Sequence, residues 1–365
     1  MQIPANRLDR VYQLHQAEYE RKAIEVLRSG YYILGKETAR FEQAFADYLG
    51  GGFVAGVGSG LDALIISIRL LGIGPGDEVI VQGNTYIATV LSIIHTGATP
   101  VFAEPGNGFW LTAESILQKI SKKTKAVLVT HLYGMATPMT EIVSLCKTYG
   151  LLLIEDAAQS HGAESRGQKV GTFGDSGCFS FYPTKNLGAF GDGGAVFCKD
   201  PLLIKRIKTY RNYGSDKKYN NSMIGINSRL DELQAGFLQV RLKHIEELID
   251  EKKTAAEYYS RNISNPRISV PIPAVDTLCV WHQYVIRCKT RDHLAAYLRE
   301  KGIFTEIHYP IPPHLSEACK FLGIKKGDLP ITENLAETIL SLPIFFGITK
   351  DEQDFVIEAL NQYQN

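Results

Sequence analysis

The chemically most suggestive feature of this sequence is a lysine held in a glycine-dense connection between two apolar runs. Lys185 follows Cys178-Phe179-Ser180-Phe181 and precedes Gly188, Gly191, Gly193 and Gly194, after which Ala195-Val196-Phe197 resumes the apolar pattern. The runs are expected to be buried strands, with the lysine on the tight turn that joins them. Burial penalises the ammonium form and so favours a neutral amine. A neutral amine can attack a carbonyl and form a Schiff base. This stretch alone leaves open a solvated loop lysine, because charged side chains mostly stay in water.

Three further groups bear on that chemistry. Leu151-Leu152-Leu153-Ile154 runs into Glu155 and Asp156, followed by Ala157-Ala158-Gln159-Ser160-His161. In an open parallel sheet, functional groups collect just beyond the carboxyl ends of strands, which is where Asp156 falls. A carboxylate there can pair with a protonated ring nitrogen, or it can cap a helix. Phe53-Val54-Ala55-Gly56-Val57 leads into Gly58-Ser59-Gly60 and then into a helix with Ile65, Ile68 and Leu71 on one face. Free N–H groups at such a helix start can bind phosphate, although Ser59 also fits an ordinary N-cap. Tyr86 falls at another strand-to-helix junction, where a flat ring can stack on a cofactor or pack on the core. Together the four answer one ligand type: N–H donors for a phosphate, a face for a ring, an anion for a ring nitrogen and an amine for an aldehyde.

A repeating scaffold must carry these groups to one place. From 53 to 198, continuous apolar runs alternate with helical segments. Parallel strands covered on both faces have this texture. Ahead of it, Val11, Leu14, Ala17, Ile24 and Leu27 predict a helix over 10–29, and Phe41, Phe45, Tyr48 and Leu49 predict a second. From Arg229, the stripe Leu230, Leu233, Phe237, Val240, Ile245 and Leu248 predicts one helix of roughly 30 residues, long enough to bridge two lobes. The chain therefore divides into a large domain over 1–245, whose N-terminal residues could pack on the other lobe, and a smaller α+β domain over 246–365. In the smaller part, 280–288 and 303–307 read as strands and Tyr309-Pro310-Ile311-Pro312-Pro313 as a rigid turn.

Lys plus Arg (39) equals Asp plus Glu (39), so no charge excess points to nucleic acid or an anionic membrane. No run approaches the roughly 18 apolar residues of a membrane span, and MQIPANRLDR lacks a signal-peptide core. Cys146, Cys178, Cys198, Cys279, Cys288 and Cys319 form no Cys-x-x-Cys pair and read as reduced residues of a cytoplasmic protein. The nine histidines show no ligand spacing, so no metal is expected.

The chain resembles the DegT/DnrJ-type sugar aminotransferases of the aspartate aminotransferase class, fold type I, over essentially its whole length. The resemblance rests on GSGLDAL at 58–64, NTYIAT at 84–89, EDAAQSHGA at 155–163, FSFYPTKNLGAFGDGGA at 179–195, NSRLDELQA at 227–235 and HYPIPPH at 308–314. It implies the α/β fold of that class, with a mostly parallel sheet flanked by helices in the large domain and a smaller α+β C-terminal domain. It implies that Lys185 carries the covalent link to pyridoxal 5'-phosphate, that Asp156 binds the pyridine nitrogen and that Gln159 binds the ring hydroxyl. Ser59, the Gly60 backbone and Ser180 would hold the phosphate, and Tyr86 would stack on the ring. Asn227 would reach the phosphate from the neighbouring subunit, so the active unit would be a homodimer with shared sites. Tyr182, His161 and His308 are the substrate-side candidates. Two departures stand out. Thr184 replaces a glycine common in the family. Leu61 replaces a common threonine, losing a hydroxyl contact to phosphate.

The implied reaction moves an amino group from glutamate to a nucleotide-linked keto sugar, with the freed Lys185 amine as general base and acid. The wording of NTYIAT and HYPIPPH resembles members that aminate C3 of a dTDP-3-keto-6-deoxyhexose, giving dTDP-3-amino-3,6-dideoxyhexoses. C4 amination of a UDP- or dTDP-4-keto sugar is the alternative. Three other classes fit less well. A sugar dehydratase on this fold would carry histidine in place of Lys185. A nucleotide-sugar-responsive regulator would be expected to show a DNA-binding module or basic patch. A nicotinamide oxidoreductase would need the last glycine of the dinucleotide fingerprint, which Gly56-x-Gly58-x-Gly60 lacks.

Overall fold

A computed structural model of the chain describes residues 1–106 and 108–364. Three helices come first: α1 (Leu8–Leu14), α2 (Gln16–Ser29) and α3 (Lys36–Tyr48). Then β1 (Phe53–Val57), α4 (Gly60–Leu70), β2 (Glu78–Gln82), α5 (Ile87–His95), β3 (Thr99–Ala103), α6 (Ala113–Leu117), β4 (Thr124–Thr130), α7 (Met139–Tyr149) and β5 (Leu152–Asp156) alternate. A small hairpin of β6 (Glu164–Ser165) and β7 (Gln168–Lys169) precedes β8 (Ser176–Ser180) and β9 (Gly194–Cys198). Next come α8 (Pro201–Tyr210), a hairpin of β10 (Ser215–Lys217) and β11 (Asn220–Asn221), α9 (Glu232–Lys243) and α10 (Ile245–Asn262). The C-terminal part holds β12 (Ile268–Ser269), β13 (Thr277–Leu278), β14 (Tyr284–Cys288), α11 (Arg291–Glu300), α12 (Pro330–Thr338), β15 (Ile339–Leu342) and α13 (Lys350–Asn361).

The central sheet runs β1-β9-β8-β5-β4-β2-β3. Its neighbours pair in parallel except where β9 meets β1 and β8. Because β9 runs backwards, its first residue lies at the edge where the parallel strands end. Gly194 accordingly pairs with both Val57 and Ser180. Asp156 at the end of β5 is in register with Thr130 of β4 and Cys178 of β8. One rim therefore collects the ends of β1, β4, β5 and β8 with the start of β9. Both faces of the sheet are covered, which explains the unbroken apolar runs. Val79 and Val81 point toward α4, α5 and α8, whereas Ile80 between them joins residues of α6 and α7. Under β1, β8 and β9, Phe41 and Phe45 of α3 and Leu238 of α9 meet Phe179, Phe181 and Phe197.

Part of the NSRLDELQA motif serves this packing. The Glu232 carboxylate of α9 accepts N–H bonds from Gly35 (2.9 Å), Glu37 (2.8 Å) and Thr38 (2.8 Å), capping α3 from outside. A Cβ on Gly35 would fall 2.7 Å from that carboxylate, so the close approach requires glycine.

Two expected helices prove to be four. The 10–29 stretch breaks at His15 (φ −127°, ψ 28°), and the long helix from 229 breaks at His244 (φ −109°, ψ 10°). Neither break has a proline or glycine to announce it. The two imidazoles stack with centroids 3.8 Å apart, and His244 Nε2 lies 2.9 Å from Glu18, so a tertiary contact couples the breaks. The change of direction lets α9 pack on α2 and α3 while α10 turns away and buries Ala255, Ala256 and Tyr259 among the C-terminal elements. The first break also redistributes the N-terminal face: Val11, Tyr19 and Val26 are buried, whereas Leu14, Ile24 and Leu27 are 52%, 48% and 57% exposed.

In the C-terminal part, β14 pairs with β12 and β15. The strand expected from 280 starts only at Tyr284, because Trp281 adopts φ 47° in an irregular approach to the rim. The strand expected at 303–307 reduces to two bridges, Ile303 with Ile3 and Glu306 with Ser341. This core includes Ile3 from the N-terminus and Leu132, Tyr133 and Met135 from the loop after β4. It thus packs against the rim itself.

Candidate active site

At the end of β1, Gly58-Ser59-Gly60 turns into α4. Ser59 is extended (φ −161°, ψ 168°) and its hydroxyl accepts the Asp62 N–H. The Gly58 N–H donates to Ser228 Oγ at 2.9 Å, and that hydroxyl donates to Asp62 Oδ2 at 2.7 Å. Other N–H groups of the first helical turn lack helical partners and carry the positive end of the dipole. A Cβ on Gly60 would meet Ser180 Cβ at 2.6 Å, and one on Gly194 would meet the Ser59 carbonyl carbon at 2.4 Å. The turn, the end of β8 and the start of β9 thus converge into a backbone-lined cradle suited to an anion.

β5 delivers two adjacent carboxylates to opposite faces. Glu155 is fully buried and saturated by the N–H groups of Gly171 (2.7 Å), Phe173 (2.7 Å) and Gly174 (2.8 Å) and by His131 Nε2 (3.0 Å), a structural arrangement. Asp156, 5% exposed, accepts the Thr89 hydroxyl on Oδ2 at 2.7 Å and the Ala158 N–H on Oδ1 at 3.1 Å. Burial raises its pKa, and these two bonds and the charge of Lys185 oppose the rise. Thr89 is held in turn by Thr85, whose hydroxyl lies 2.8 Å from it and 2.9 Å from that of Thr130. Among the described residues Asp156 has no salt-bridge partner, so a buried anion faces the rim without a permanent cation.

Lys185 sits on the turn between β8 and β9, half-buried, with its N–H donated to the Tyr182 carbonyl at 2.9 Å. Burial pushes its ammonium down to about 8, with the charge of Asp156 acting the other way. Among the described residues no hydrogen bond ties down its amine.

Gln159 is oriented by its neighbours. Its Oε1 accepts the Tyr133 N–H at 2.6 Å, so its NH₂ must face away, where it donates to Tyr309 Oη at 3.0 Å. One donor of that NH₂ remains for a ligand. The Tyr309 ring lies 4.8 Å from that of Tyr86, which is exposed at the start of α5. Tyr133, buried at φ 63°, donates its hydroxyl to the His308 carbonyl and accepts the Gln283 N–H at 3.1 Å. His308 Nδ1 is 2.8 Å from Ser341 Oγ, and burial followed by the charge of Lys185 lowers its pKa to about 4. It is therefore a neutral imidazole at physiological pH. Tyr182 is exposed beside the Lys185 turn. Asn227 is exposed and bridges Asn212, next to the Ser228 that bonds the phosphate-type turn.

His161 lies deeper than the other substrate-side candidates, where burial followed by the charge of Lys185 lowers its pKa to about 3. It is fully buried against the rings of Phe45, Phe179 and Phe181, and among the described residues neither nitrogen has a hydrogen-bond partner. Other contributors escaped the sequence reading. Thr89 lies one helical turn after Tyr86, within NTYIAT, a spacing that could have found it. Tyr309 follows His308 directly. Tyr133 and Gln283 gave no comparable signal.

The chain is similar to known proteins over nearly its whole length. Residues 13–361 match the profile of the DegT/DnrJ/EryC1/StrS aminotransferase family. The chain belongs to that family. It is 45% identical over 362 residues, 99% of each chain, to a dTDP-3-amino-3,6-dideoxy-alpha-D-galactopyranose transaminase of Aneurinibacillus thermoaerophilus. It is 43% identical over 363 residues to a dTDP-3-amino-3,4,6-trideoxy-alpha-D-glucose transaminase of Streptomyces venezuelae, covering 99% of this chain and 96% of that one. The crystal structure of S. venezuelae DesV in complex with a ketimine intermediate superposes with a TM-score of 0.97 at 42% identity, over 99% of this chain and 98% of that one. The protein is thus a sugar aminotransferase of a pyridoxal phosphate-dependent family. Its residues fit that cofactor: a backbone cradle for the phosphate, a buried carboxylate without a cation for the ring nitrogen, an oriented NH₂ for the ring hydroxyl, and a free amine for the aldehyde.

Proposed function

We propose that this protein moves the amino group of glutamate to C3 of a dTDP-linked 3-keto-6-deoxyhexose, giving a dTDP-3-amino-3,6-dideoxyhexose. The observation that carries the chemistry is geometric: the buried Asp156 carboxylate, held by Thr89 and Ala158 at the end of β5, shares a rim with the Lys185 turn, whose amine no hydrogen bond among the described residues ties down. The regiochemistry is supported by the two transaminase relatives, whose names both place the amino group at C3.

When bound, pyridoxal phosphate supplies an aldehyde carbon that takes up the amino group and a cationic ring that accepts an electron pair. Lys185 is the group to hold that aldehyde. Once released, its amine takes a proton on Nζ and returns it. Asp156, pinned by Thr89 and Ala158, keeps its negative charge against the ring nitrogen, so that the nitrogen stays protonated. Ser59, the Gly60 N–H and Ser180 hold the phosphate, and the free donor of Gln159 holds the ring hydroxyl. Tyr86, whose ring lies against Tyr309, would offer a face to the cofactor ring. Tyr182 and the neutral His308 face the sugar as hydrogen-bonding groups.

The active unit in this reading is a homodimer in which Asn227 reaches the partner's phosphate cradle. Its exposure supports this, as does the apolar surface of Leu14, Leu27, Tyr31 and Tyr32. The compartment is the cytoplasm, in keeping with six cysteines that are all free and buried. No helix among the described residues is long and apolar enough to cross a membrane.

The test is a panel of 3-keto and 4-keto nucleotide sugars given to the purified protein with glutamate. Product from the dTDP-3-keto sugar, with little from the 4-keto sugars, is expected. Amination of 4-keto sugars alone would move the reaction to C4, and silence across the panel would reject the substrate class.

A further inference from the structure

Against the Lys185 turn lie two buried basic side chains with no role in the chemistry above. Arg241 of α9 is 3% exposed. Its guanidinium donates Nε to the Asn186 carbonyl (3.0 Å), Nη1 to that of Gly188 (3.2 Å) and Nη2 to that of Lys185 itself (3.1 Å). Lys252 of α10 is 2% exposed and donates to Asn186 Oδ1 (3.1 Å) and to the His282 carbonyl (3.4 Å). The Asn186 side chain completes the link by donating to the Val280 carbonyl at 2.8 Å. The Phe346 ring serves both cations, with Arg241 Cζ at 5.4 Å and Lys252 Nζ at 4.7 Å from its centroid. Among the described residues neither cation has a carboxylate in salt-bridge contact.

Such an arrangement is costly if stability were its only purpose. Buried charges without anions lose their hydration, and apolar residues in such places are often neutral or stabilising. Burial, with the charge of Arg241 as the next cause, lowers Lys252 to about 7. What the cations gain is geometric. Three carbonyls of one tight turn converge on one planar fork, whose spread and fixed donors reach all three from separate nitrogens, whereas an ammonium offers its three donors from a single point. All three belong to residues 185–188, the segment that carries the reactive lysine.

We propose that Arg241 is the positioning residue of the Lys185 turn, with Lys252 as a second brace through Asn186. Together they immobilise the turn's backbone, so that motion at this point is confined to the Lys185 side chain. The proposal rests on the aminotransferase reading above and adds to it residues that touch neither cofactor nor substrate.

The test uses Arg241→Gln, Arg241→Lys and Lys252→Met in the full-length chain. Two quantities are read: the rate at which apoprotein captures pyridoxal phosphate on Lys185, trapped with borohydride and located by peptide mass, and the kcat and KM for the keto sugar. In Arg241→Gln, capture and kcat should each fall about 10- to 100-fold, the cost of a misplaced reacting group. KM should stay within about twofold, since no substrate contact is lost. Arg241→Lys should fall between wild type and Arg241→Gln, and Lys252→Met should lose less than either. A folded Arg241→Gln with wild-type capture and kcat overturns the proposal, as does a change confined to KM. Should Arg241→Gln not accumulate as folded protein, Arg241→Lys and Lys252→Met decide, and wild-type capture and kcat in both overturn it. A wild-type chain that neither captures the cofactor nor transaminates would remove the functional reading itself. An active wild type with an unchanged Arg241→Gln would remove only the brace.

Discussion

Two ionisable groups share this rim, Asp156 buried and Lys185 half-buried, and the chain holds them in opposite ways. Asp156 is tied at the tip: a hydroxyl and an N–H grip its carboxylate, and the hydroxyl is itself held by a chain of threonines. Lys185 is tied at the root: its N–H and carbonyl are bonded, and among the described residues no hydrogen bond holds its amine. Burial pushes both toward their neutral forms, the carboxyl upward and the ammonium down to about 8. The difference matches their tasks. A charge that polarises a ring must stay still, because reorganising it would cost energy during reaction. A group that collects and returns a proton must swing, and it can do so accurately only from a rigid base.

This contrast can be broken outright at the lysine. Lys185→Ala should abolish cofactor capture and lower turnover by at least roughly 10²- to 10⁴-fold, the usual worth of a positioned acid–base group. Near-normal turnover in that variant would end the assignment.

A smaller effect is expected from the fixed charge. Asp156→Ala should lower kcat by about 10²- to 10³-fold, as for other preorganised charges. It also sharpens the comparison through pH. In the wild-type apoprotein, Lys185 should become reactive toward an amine reagent with a midpoint near pH 8, below the ordinary lysine range. Since the Asp156 charge raises that value, its removal should shift the midpoint lower. An upward shift would contradict the electrostatic account.

The smallest change separates grip from charge. Thr89→Val leaves Asp156 in place but removes one bond to its carboxylate, a contribution of about 1.5–3 kcal/mol for hydrogen bonds to charged groups. Because that bond lowers the Asp156 pKa, its loss should let the pKa rise further. The kcat loss should be well below that of Asp156→Ala. Equal losses in the two variants would mean that the charge works only when Thr89 holds it.

How much of this was legible beforehand follows from how local each signal is. The ends of β1, β5 and β8 were readable because an apolar run followed by glycine, serine or aspartate is a feature of neighbouring residues. Parallel topology then brings such ends to one rim. The helix breaks at His15 and His244 were not readable, because their cause is a contact between residues far apart in the chain. Arg241 was hidden for the same reason: in its helix it reads as one more cation between Val240 and Leu242, and only the fold aims it at the Lys185 turn. His161 shows the limit from the other side. Its place in a chemically rich motif suggested a contact with substrate, and packing put it among phenylalanines.

By itself, then, the order of residues determined which reactive groups exist and that they sit at strand ends, since backbone periodicity and turn chemistry act over a few neighbours. Tertiary structure alone decided which of them are tied and which are free. Hydrogen bonds and burial connect positions such as Thr89 with Asp156, and Arg241 with Lys185, and nothing in the intervening sequence announces that they will meet.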